Sequence, residues 1–161
     1  VQNGGADFIL ICTNTMHKMA EDVQKHIDIP ILHIADATAE AIKDKGLTKI
    51  GLLGTRFTME EQFYRGRLES KYGLTVLIPE EDDREIIHRV IYDELCLGEV
   101  KSSSKVQYTA IIDKLIEVGA QGIILGCTEI SLLVGESDSP VPIFDTTLIH
   151  AVSAVEYALS S

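Results

Sequence analysis

Short apolar runs alternate with amphipathic segments along the whole chain. Runs of Ile, Leu and Val bounded by Gly, Pro or charged residues are typical of buried strands, and they predict strands at 7–12, 30–34, 49–53, 74–78, 122–126 and 141–144. Between these runs, apolar residues three or four positions apart predict helices at 16–27, 35–45, 59–71, 80–97, 105–118 and 147–159. Strands that alternate with helices in this way predict an α/β fold with parallel sheet.

Composition narrows the class of protein. The 161 residues are 45% hydrophobic and 24% charged, which is enough apolar material for the core of one or two small domains. The formal net charge of −11 argues against nucleic acid or an anionic membrane as a partner. No apolar run approaches the length of a membrane span. The chain starts at Val1 rather than Met, so we expect that a first part of a longer polypeptide is missing.

The cysteines indicate a reducing environment. The chain has three cysteines, Cys12, Cys96 and Cys127, and their spacing is not that of a zinc site or a disulfide framework. We therefore expect free thiols, no metal and a cytoplasmic location. Cys96 lies beside the apolar stripe of a predicted helix and is interpreted as structural, as are His17 and His33.

An internal repeat indicates two halves built on one plan. Residues 5–13 match residues 119–127, and residues 29–32 match residues 141–144. In this alignment Cys127 corresponds to Thr13, whereas Cys12 corresponds to Gly126. The repeat therefore predicts two pseudo-symmetric parallel-sheet domains with a site between them.

The aligned turns carry acid-base groups. Cys127 follows a buried strand and precedes Thr128 and Glu129, where we expect a helix N-terminus that lowers the pKa of the thiol. A buried structural cysteine is the alternative. Two such groups on opposite sides of a ligand suit removal of a proton from one face of a carbon and its return to the other face. Known cofactor motifs are absent, so we expect no cofactor.

Hydroxyl and amide side chains near the turns could bind carboxylates. One predicted cradle comprises Asn14, Thr15 and Thr128, and a second comprises Thr55, Arg56 and Thr58. Helix capping is the alternative for Asn14, Thr15, Thr55 and Thr58. Arg56 fits a surface ion pair equally well, and Glu129 could orient the thiol or cap a helix.

The segments ILICTNTMH at 9–17 and IILGCTEISLL at 123–133 resemble the two signatures of the aspartate/glutamate racemase family, and the likeness extends through GTRFT and FYRGRL to IFDTTLIH. The resemblance implies a first α/β domain of residues 1–34, to which 145–161 return, and a second of residues 35–144. It also implies a small acidic amino acid as substrate and opposed catalytic groups, and a homodimer stays open. The family's usual first signature places Cys directly before Asn-Thr. Here Thr13 takes that place, and strand alternation is expected to turn Cys12 into the core.

The resulting hypothesis is a cofactor-independent racemase that favours L substrates. The Cys127 thiolate removes the α-proton from L-glutamate or L-aspartate, and Thr13, with Cys12 as the alternative, reprotonates the other face. Because a threonine hydroxyl is a poor base, the reverse direction should be slow. Two alternatives are another isomerase or decarboxylase of a small dicarboxylate, and a non-catalytic carboxylate-binding domain.

Overall fold

The strands form two parallel sheets. The computed structural model describes residues 1–160, and every strand pair in it is parallel, which confirms the predicted α/β class. A two-stranded sheet pairs β1 (Ile9–Leu10) with β2 (Ile31–Leu32). A four-stranded sheet has the order β4-β3-β5-β6, with β3 at Lys49–Gly54, β4 at Thr75–Leu77, β5 at Ile123–Gly126 and β6 at Ile143–Asp145.

Seven α-helices connect and cover these strands in the described part of the chain. They are α1 at Ala20–Gln24, α2 at Ile34–Asp44, α3 at Arg56–Glu60, α4 at Arg65–Tyr72, α5 at Glu81–Asp93, α6 at Ser102–Glu117 and α7 at Thr146–Ser160. None of the helices within residues 1–160 is long and apolar enough to cross a membrane.

Three predicted helices are interrupted. The helix expected at 16–27 starts as a 3-10 turn at Thr15–Met19 and continues as α1. The helix expected at 59–71 is two helices, since α3 ends at Glu60 and α4 begins at Arg65. The helix expected at 80–97 ends at Asp93 and is followed by a separate 3-10 turn. Apolar periodicity therefore located the helices but did not show where the backbone turns.

The core surrounds the two central strands. Strand β5 is buried along its whole length, and β3 is buried from Ile50 onward. Such strands are covered on both faces, which explains why they read as continuous apolar runs in the sequence. Both strands end in glycine, and Gly54 pairs with Gly126. A Cβ on Gly126 would lie 2.9 Å from the Leu53 carbonyl oxygen, so glycine permits this close approach. The residues that follow, Thr55 and Cys127, leave adjacent strands at the same level.

Helix α7 ties the two sheets together. The Thr146 hydroxyl at its first residue donates to the Leu125 carbonyl of β5 at 2.8 Å and accepts from Asn14 Nδ2, after β1, at 3.0 Å. One turn later, His150 Nε2 donates to the Leu32 carbonyl of β2 at 2.7 Å. These contacts bring the turn after β1 beside the end of β5. The division of the chain at residues 34 and 144 stays a prediction.

Candidate active site

A cavity of about 320 Å³ lies where the turns after β1, β3 and β5 meet. It brings together most of the predicted site residues, namely Thr13, Asn14, Thr15, Thr55, Cys127, Thr128 and Glu129. Five further residues line it: Met16, Ile91, Tyr92, Cys96 and Gly126. The two turns that the internal repeat aligns therefore face a common cavity.

Cys127 forms a pair with Glu129. Its Sγ lies 2.9 Å from Glu129 Oε2, and the Thr128 hydroxyl donates to the same oxygen at 2.6 Å. Burial raises the pKa of Cys127 to about 12, and the hydrogen bond to Glu129 favours the protonated thiol further. The thiol is therefore protonated at neutral pH and donates its hydrogen to the carboxylate.

The expectation that a helix N-terminus lowers the pKa of Cys127 is wrong. The segment after β5 is a single 3-10 turn at Ile130–Leu132, which is too short to supply the aligned dipoles of an α-helix. Nearby negative charge has the opposite effect on the thiol. Deprotonation of Cys127 therefore depends on a proton acceptor, and Glu129 occupies that place.

Glu129 is the ionised acceptor of the hydrogen bond from the Cys127 thiol. Its partial burial acts to raise its pKa, but the hydrogen bonds from Cys127 and Thr128 outweigh this effect, and the pKa is lowered overall. The carboxylate is therefore ionised near neutral pH. Of the two predicted roles, orienting the thiol agrees with the contacts, because Glu129 makes no side-chain cap to the 3-10 turn that follows it.

Thr13 lies at the cavity surface, and Cys12 does not. The side chain of Thr13 is exposed, and its carbonyl oxygen lies 2.8 Å from His17 Nδ1. Cys12 is also exposed, so the expectation that it points into the core is wrong. The alternation of side chains does not reach Cys12 because β1 ends at Leu10. Since Thr13 lines the cavity and Cys12 does not, the geometry favours Thr13.

Three hydroxyls link the turn after β1 to the turn after β3. Thr55 Oγ1 lies 3.1 Å from both Thr15 Oγ1 and Thr58 Oγ1, and Thr15 Oγ1 lies 3.4 Å from Thr58 Oγ1. Thr55 also caps α3 by accepting from the Thr58 amide at 3.3 Å. Capping is therefore confirmed for Thr55, which nevertheless lines the cavity. Thr58 is fully buried behind it.

Asn14 is buried and keeps one polar atom without a partner. Its Nδ2 donates to Thr146, whereas its Oδ1 has no hydrogen-bond partner within residues 1–160. The side chain makes no capping bond to the 3-10 turn that follows, so the helix-cap alternative for Asn14 is wrong. An unpaired buried acceptor on a cavity wall is suited to a ligand that donates a hydrogen bond.

Arg56 lies outside the cavity wall. Its guanidinium pairs with Glu85, and its backbone amide donates to His88 Nδ1 at 3.2 Å. The surface ion pair, one of the two alternatives, is thus formed, and a contact of Arg56 with a substrate stays a prediction.

Sequence reasoning missed the contribution of α5 and the segment after it. Tyr92 and Cys96 line the cavity, although the apolar stripe of the predicted helix indicated only its core side. The pKa of Cys96 is raised by burial and by the charge of Glu129, which places this thiol in the electrostatic environment of the site rather than in an inert core. The spacing of the cysteines carried no signal for this.

Comparisons with known proteins agree with the geometry. The family model described as Asp/Glu/Hydantoin racemase matches residues 1–154. The broad specificity amino-acid racemase RacX of Bacillus subtilis (strain 168) is 26% identical over an alignment of 167 residues, gaps included. The alignment covers 99% of this chain and 68% of RacX.

Two solved structures are also similar. A Yersinia pestis protein described as a candidate Asp/Glu racemase has a TM-score of 0.95 and 56% identity, covering 98% of this chain and 69% of that chain. An aspartate racemase homologue from Pyrococcus horikoshii OT3 has a TM-score of 0.87 and 37% identity, with the same coverage of 98% and 69%. These matches do not favour a decarboxylase or a non-catalytic binding domain.

Proposed function

The chain belongs to the Asp/Glu/hydantoin racemase family, and we propose that it interconverts the L and D forms of glutamate or aspartate without a cofactor, with preference for the L form. The observation that carries the proposal is that Thr13 and Cys127, from turns in different sheets, line one cavity. A substrate between them presents opposite faces of its α-carbon to a hydroxyl and a thiol.

Cys127 and Glu129 act together as the base. The Sγ–H bond, 2.9 Å from Glu129 Oε2, breaks as its proton moves to the carboxylate. The thiolate then takes the α-proton, so that the thiol is restored and the electron pair of the C–H bond stays on the α-carbon. The ammonium group of a bound amino acid favours the thiolate, since a nearby opposite charge stabilises an ionised group.

Thr13 completes the reaction from the other face. Its hydroxyl proton forms the new C–H bond, and the oxygen then regains a proton from water while Glu129 releases one to water. Protons and charges therefore balance over one turnover. Because the pKa of a threonine hydroxyl lies far above neutrality, removal of the α-proton from the D form by Thr13 is slow. The L form is therefore the preferred substrate.

The remaining cavity residues bind the substrate. The hydroxyls of Thr15 and Thr55 face the cavity and can donate to carboxylates, while Thr58 supports both from behind. The Thr128 hydroxyl also lines the cavity, where it donates to Glu129 and can accept a hydrogen bond from the substrate. Asn14 Oδ1, the unpaired acceptor, receives a hydrogen bond from the α-ammonium group. Donors and an acceptor at these places match the groups of an acidic α-amino acid.

The free thiols support a reducing cytoplasm as the site of action. Cys12, Cys96 and Cys127 all lack a disulfide partner. Oxidation of Cys127 would remove the proposed base, which makes a reducing compartment the suitable one.

Deuterium exchange tests the proposed function. Wild-type protein in heavy water should incorporate deuterium at the α-carbon of L-glutamate or L-aspartate and form the D isomer. At saturating substrate, deuterium exchange should be faster from L than from D. Replacing Cys127 by serine should nearly abolish both processes. Absence of exchange with both amino acids would overturn the proposal, and equal rates of exchange from saturating L and D would overturn the role of Thr13.

A further inference from the structure

His17 joins the turn that carries Thr13 to the start of α2. Its side chain is 2% exposed and does not line the cavity. One ring nitrogen, Nδ1, lies 2.8 Å from the Thr13 carbonyl oxygen, and the other, Nε2, lies 3.1 Å from the backbone nitrogen of Ile34, the first residue of α2. Both nitrogens are therefore bonded to backbone groups that are 21 positions apart in the chain.

The two contacts fix the tautomer of the ring. The Ile34 amide can only donate, so Nε2 must present its lone pair. In the neutral ring the hydrogen then resides on Nδ1, which donates to the Thr13 carbonyl. Burial, which outweighs the backbone contacts, lowers the pKa of His17 to about 4, so the ring is neutral near neutral pH and both bonds are satisfied.

Two other histidines hold His17 in place. The ring of His33 lies 4.5 Å from it, centroid to centroid, and the ring of His150 lies 5.8 Å away. Each of these rings also bonds to backbone: His33 Nδ1 accepts from the Ala35 amide at 3.2 Å, and His150 Nε2 donates to the Leu32 carbonyl. The His17 ring is therefore enclosed by groups that are themselves fixed.

The hydroxyl of Thr13, in contrast, has no partner of its own. Among residues 1–160 no hydrogen bond to Thr13 Oγ1 is formed, so the place of this hydroxyl in the cavity depends on the backbone that carries it. The bond from His17 holds that backbone at the carbonyl of the same residue.

We propose that His17 is a positioning residue for reprotonation, which fixes the Thr13 hydroxyl opposite Cys127 by clamping the Thr13 carbonyl to the start of α2. The inference rests on the proposed function. Because Thr13 acts only after the α-proton has left, loss of the bond from His17 affects the second proton transfer and spares the first. Misplacement of a catalytic group by about 1 Å can cost up to about 100-fold in rate.

Two substitutions separate the ring nitrogens. In His17→Asn the side-chain amide nitrogen can occupy the position of Nδ1 and keep the bond to Thr13. In His17→Gln the side chain is longer, so its amide oxygen can occupy the position of Nε2 and keep only the bond to Ile34. Both replacements are polar and of similar size. His26→Asn and His26→Gln are the matched controls, since His26 is exposed and is not among the residues that line the cavity.

The readout is the ratio of D-isomer formation to deuterium exchange in recovered L-glutamate or L-aspartate, measured in heavy water. We expect His17→Gln to lower this ratio by at least about tenfold, with little change in KM. We expect His17→Asn to stay within about threefold of the wild type. The His26 variants should match the wild type.

The outcomes distinguish the two proposals. If the wild-type protein shows no exchange, the proposed function fails. If the wild type racemises but the ratio is the same in both His17 variants, His17 has no positioning role. A merely structural role would lower exchange and D-isomer formation equally, together with the midpoint of thermal unfolding, and would not distinguish Asn from Gln.

Discussion

The turns after β1 and β5 are related by the internal repeat but hold their functional side chains in different ways. Cys127 is held by a side chain, since its thiol lies 2.9 Å from Glu129 Oε2. The Thr13 hydroxyl has no such partner in the described chain, and its backbone is held by His17 instead. A pseudo-symmetric fold therefore need not give symmetric chemistry, since one turn supplies a base with its proton acceptor and the other supplies a positioned donor.

Electrostatics make the contrast stronger. Burial raises the pKa of Cys127 to about 12, while burial lowers the pKa of His17 to about 4. In each turn burial favours the neutral form of the ionisable side chain. At neutral pH the Cys127 thiol therefore stays protonated, and the His17 imidazole stays uncharged. The thiol needs Glu129 before it can act, whereas the imidazole needs to stay neutral.

Replacing Cys127 by serine should have the largest effect. A serine hydroxyl does not ionise near neutrality, so the first proton transfer fails. We expect exchange at the α-carbon of L-glutamate or L-aspartate to fall on the order of 10⁴-fold, the upper end of the range for a placed acid-base group. Mass spectrometry of substrate recovered from heavy water measures this.

Cys12→Ser is the matched control, because Cys12 is exposed and does not line the cavity. It should exchange like the wild type. Loss of D-isomer formation in Cys12→Ser, with exchange from the L form retained, would transfer the second catalytic role from Thr13 to Cys12.

Substitution of Thr13 should separate the two half-reactions. We expect Thr13→Ala to form the D isomer about 100-fold more slowly while exchange from the L form continues, because Cys127 and Glu129 are untouched. Thr13→Cys places an ionisable group in both turns and should raise turnover of the D form relative to the L form. Chiral chromatography of both directions measures the rates. Loss of exchange from the L form in Thr13→Ala would contradict the assignment of the two faces.

The sequence predicted the strands and the polar turns at their ends better than it predicted the backbone conformation after those turns and the packing of the helices. Repeated apolar runs that end in a polar turn located Thr13, Asn14, Thr15 and Cys127, because a parallel sheet brings such turns to one edge. His17 was expected to be structural, and its burial and backbone bonds agree with that.

The rest depends on geometry that periodicity does not encode. A 3-10 turn and an α-helix after Cys127 differ by a few backbone angles, but only the α-helix would supply a dipole that lowers the pKa of the thiol. The approach of α5 that brings Tyr92 to the cavity follows from helix packing, and one exposed residue beside an apolar stripe does not reveal it.

The turn after β1 should also make stability depend on pH. In the unfolded chain His17 has its ordinary pKa of 6.5, so it is protonated below about pH 6.5. In the folded chain its pKa is about 4, so it is protonated only below about pH 4. Between these values the unfolded state binds more protons, so stability rises with pH there and is fully present above the higher value. We expect His17 to contribute about 2 kcal/mol of stability that is lost between about pH 7 and about pH 5.

Urea unfolding of the wild type and His17→Asn at these two pH values measures the difference, since asparagine does not titrate. His26→Asn, at an exposed position, is the control for replacing an imidazole by an amide. Identical pH dependence in the wild type and His17→Asn would mean that His17 is equally easy to protonate in both states.

Glu129→Gln should have a smaller effect on the rate, because two consequences oppose each other. The amide is a poor proton acceptor, which slows formation of the thiolate. At the same time the negative charge that helps to raise the pKa of Cys127 is gone, so this pKa should fall. We expect turnover to fall about tenfold, or about 1.4 kcal/mol in the barrier. The pH dependence of alkylation of Cys127 reports the thiol pKa, and an increase would contradict the proposed pairing.

Arg56→Gln should have the smallest effect, and it decides between the two interpretations of this residue. The side chains of Arg56 and Glu85 are 48% and 58% exposed, and an ion pair at such a surface is worth less than about 1 kcal/mol. Since Arg56 lies outside the cavity wall, we expect KM for L-glutamate or L-aspartate within about twofold of the wild type, as in Glu85→Gln, the matched control. A rise in KM of tenfold or more in Arg56→Gln alone, about 1.4 kcal/mol, would exceed what the ion pair can supply. Such a rise would mean that Arg56 leaves Glu85 to bind a substrate carboxylate, which would add a charged group to the Thr55 hydroxyl that the turn after β3 already contributes to the cavity.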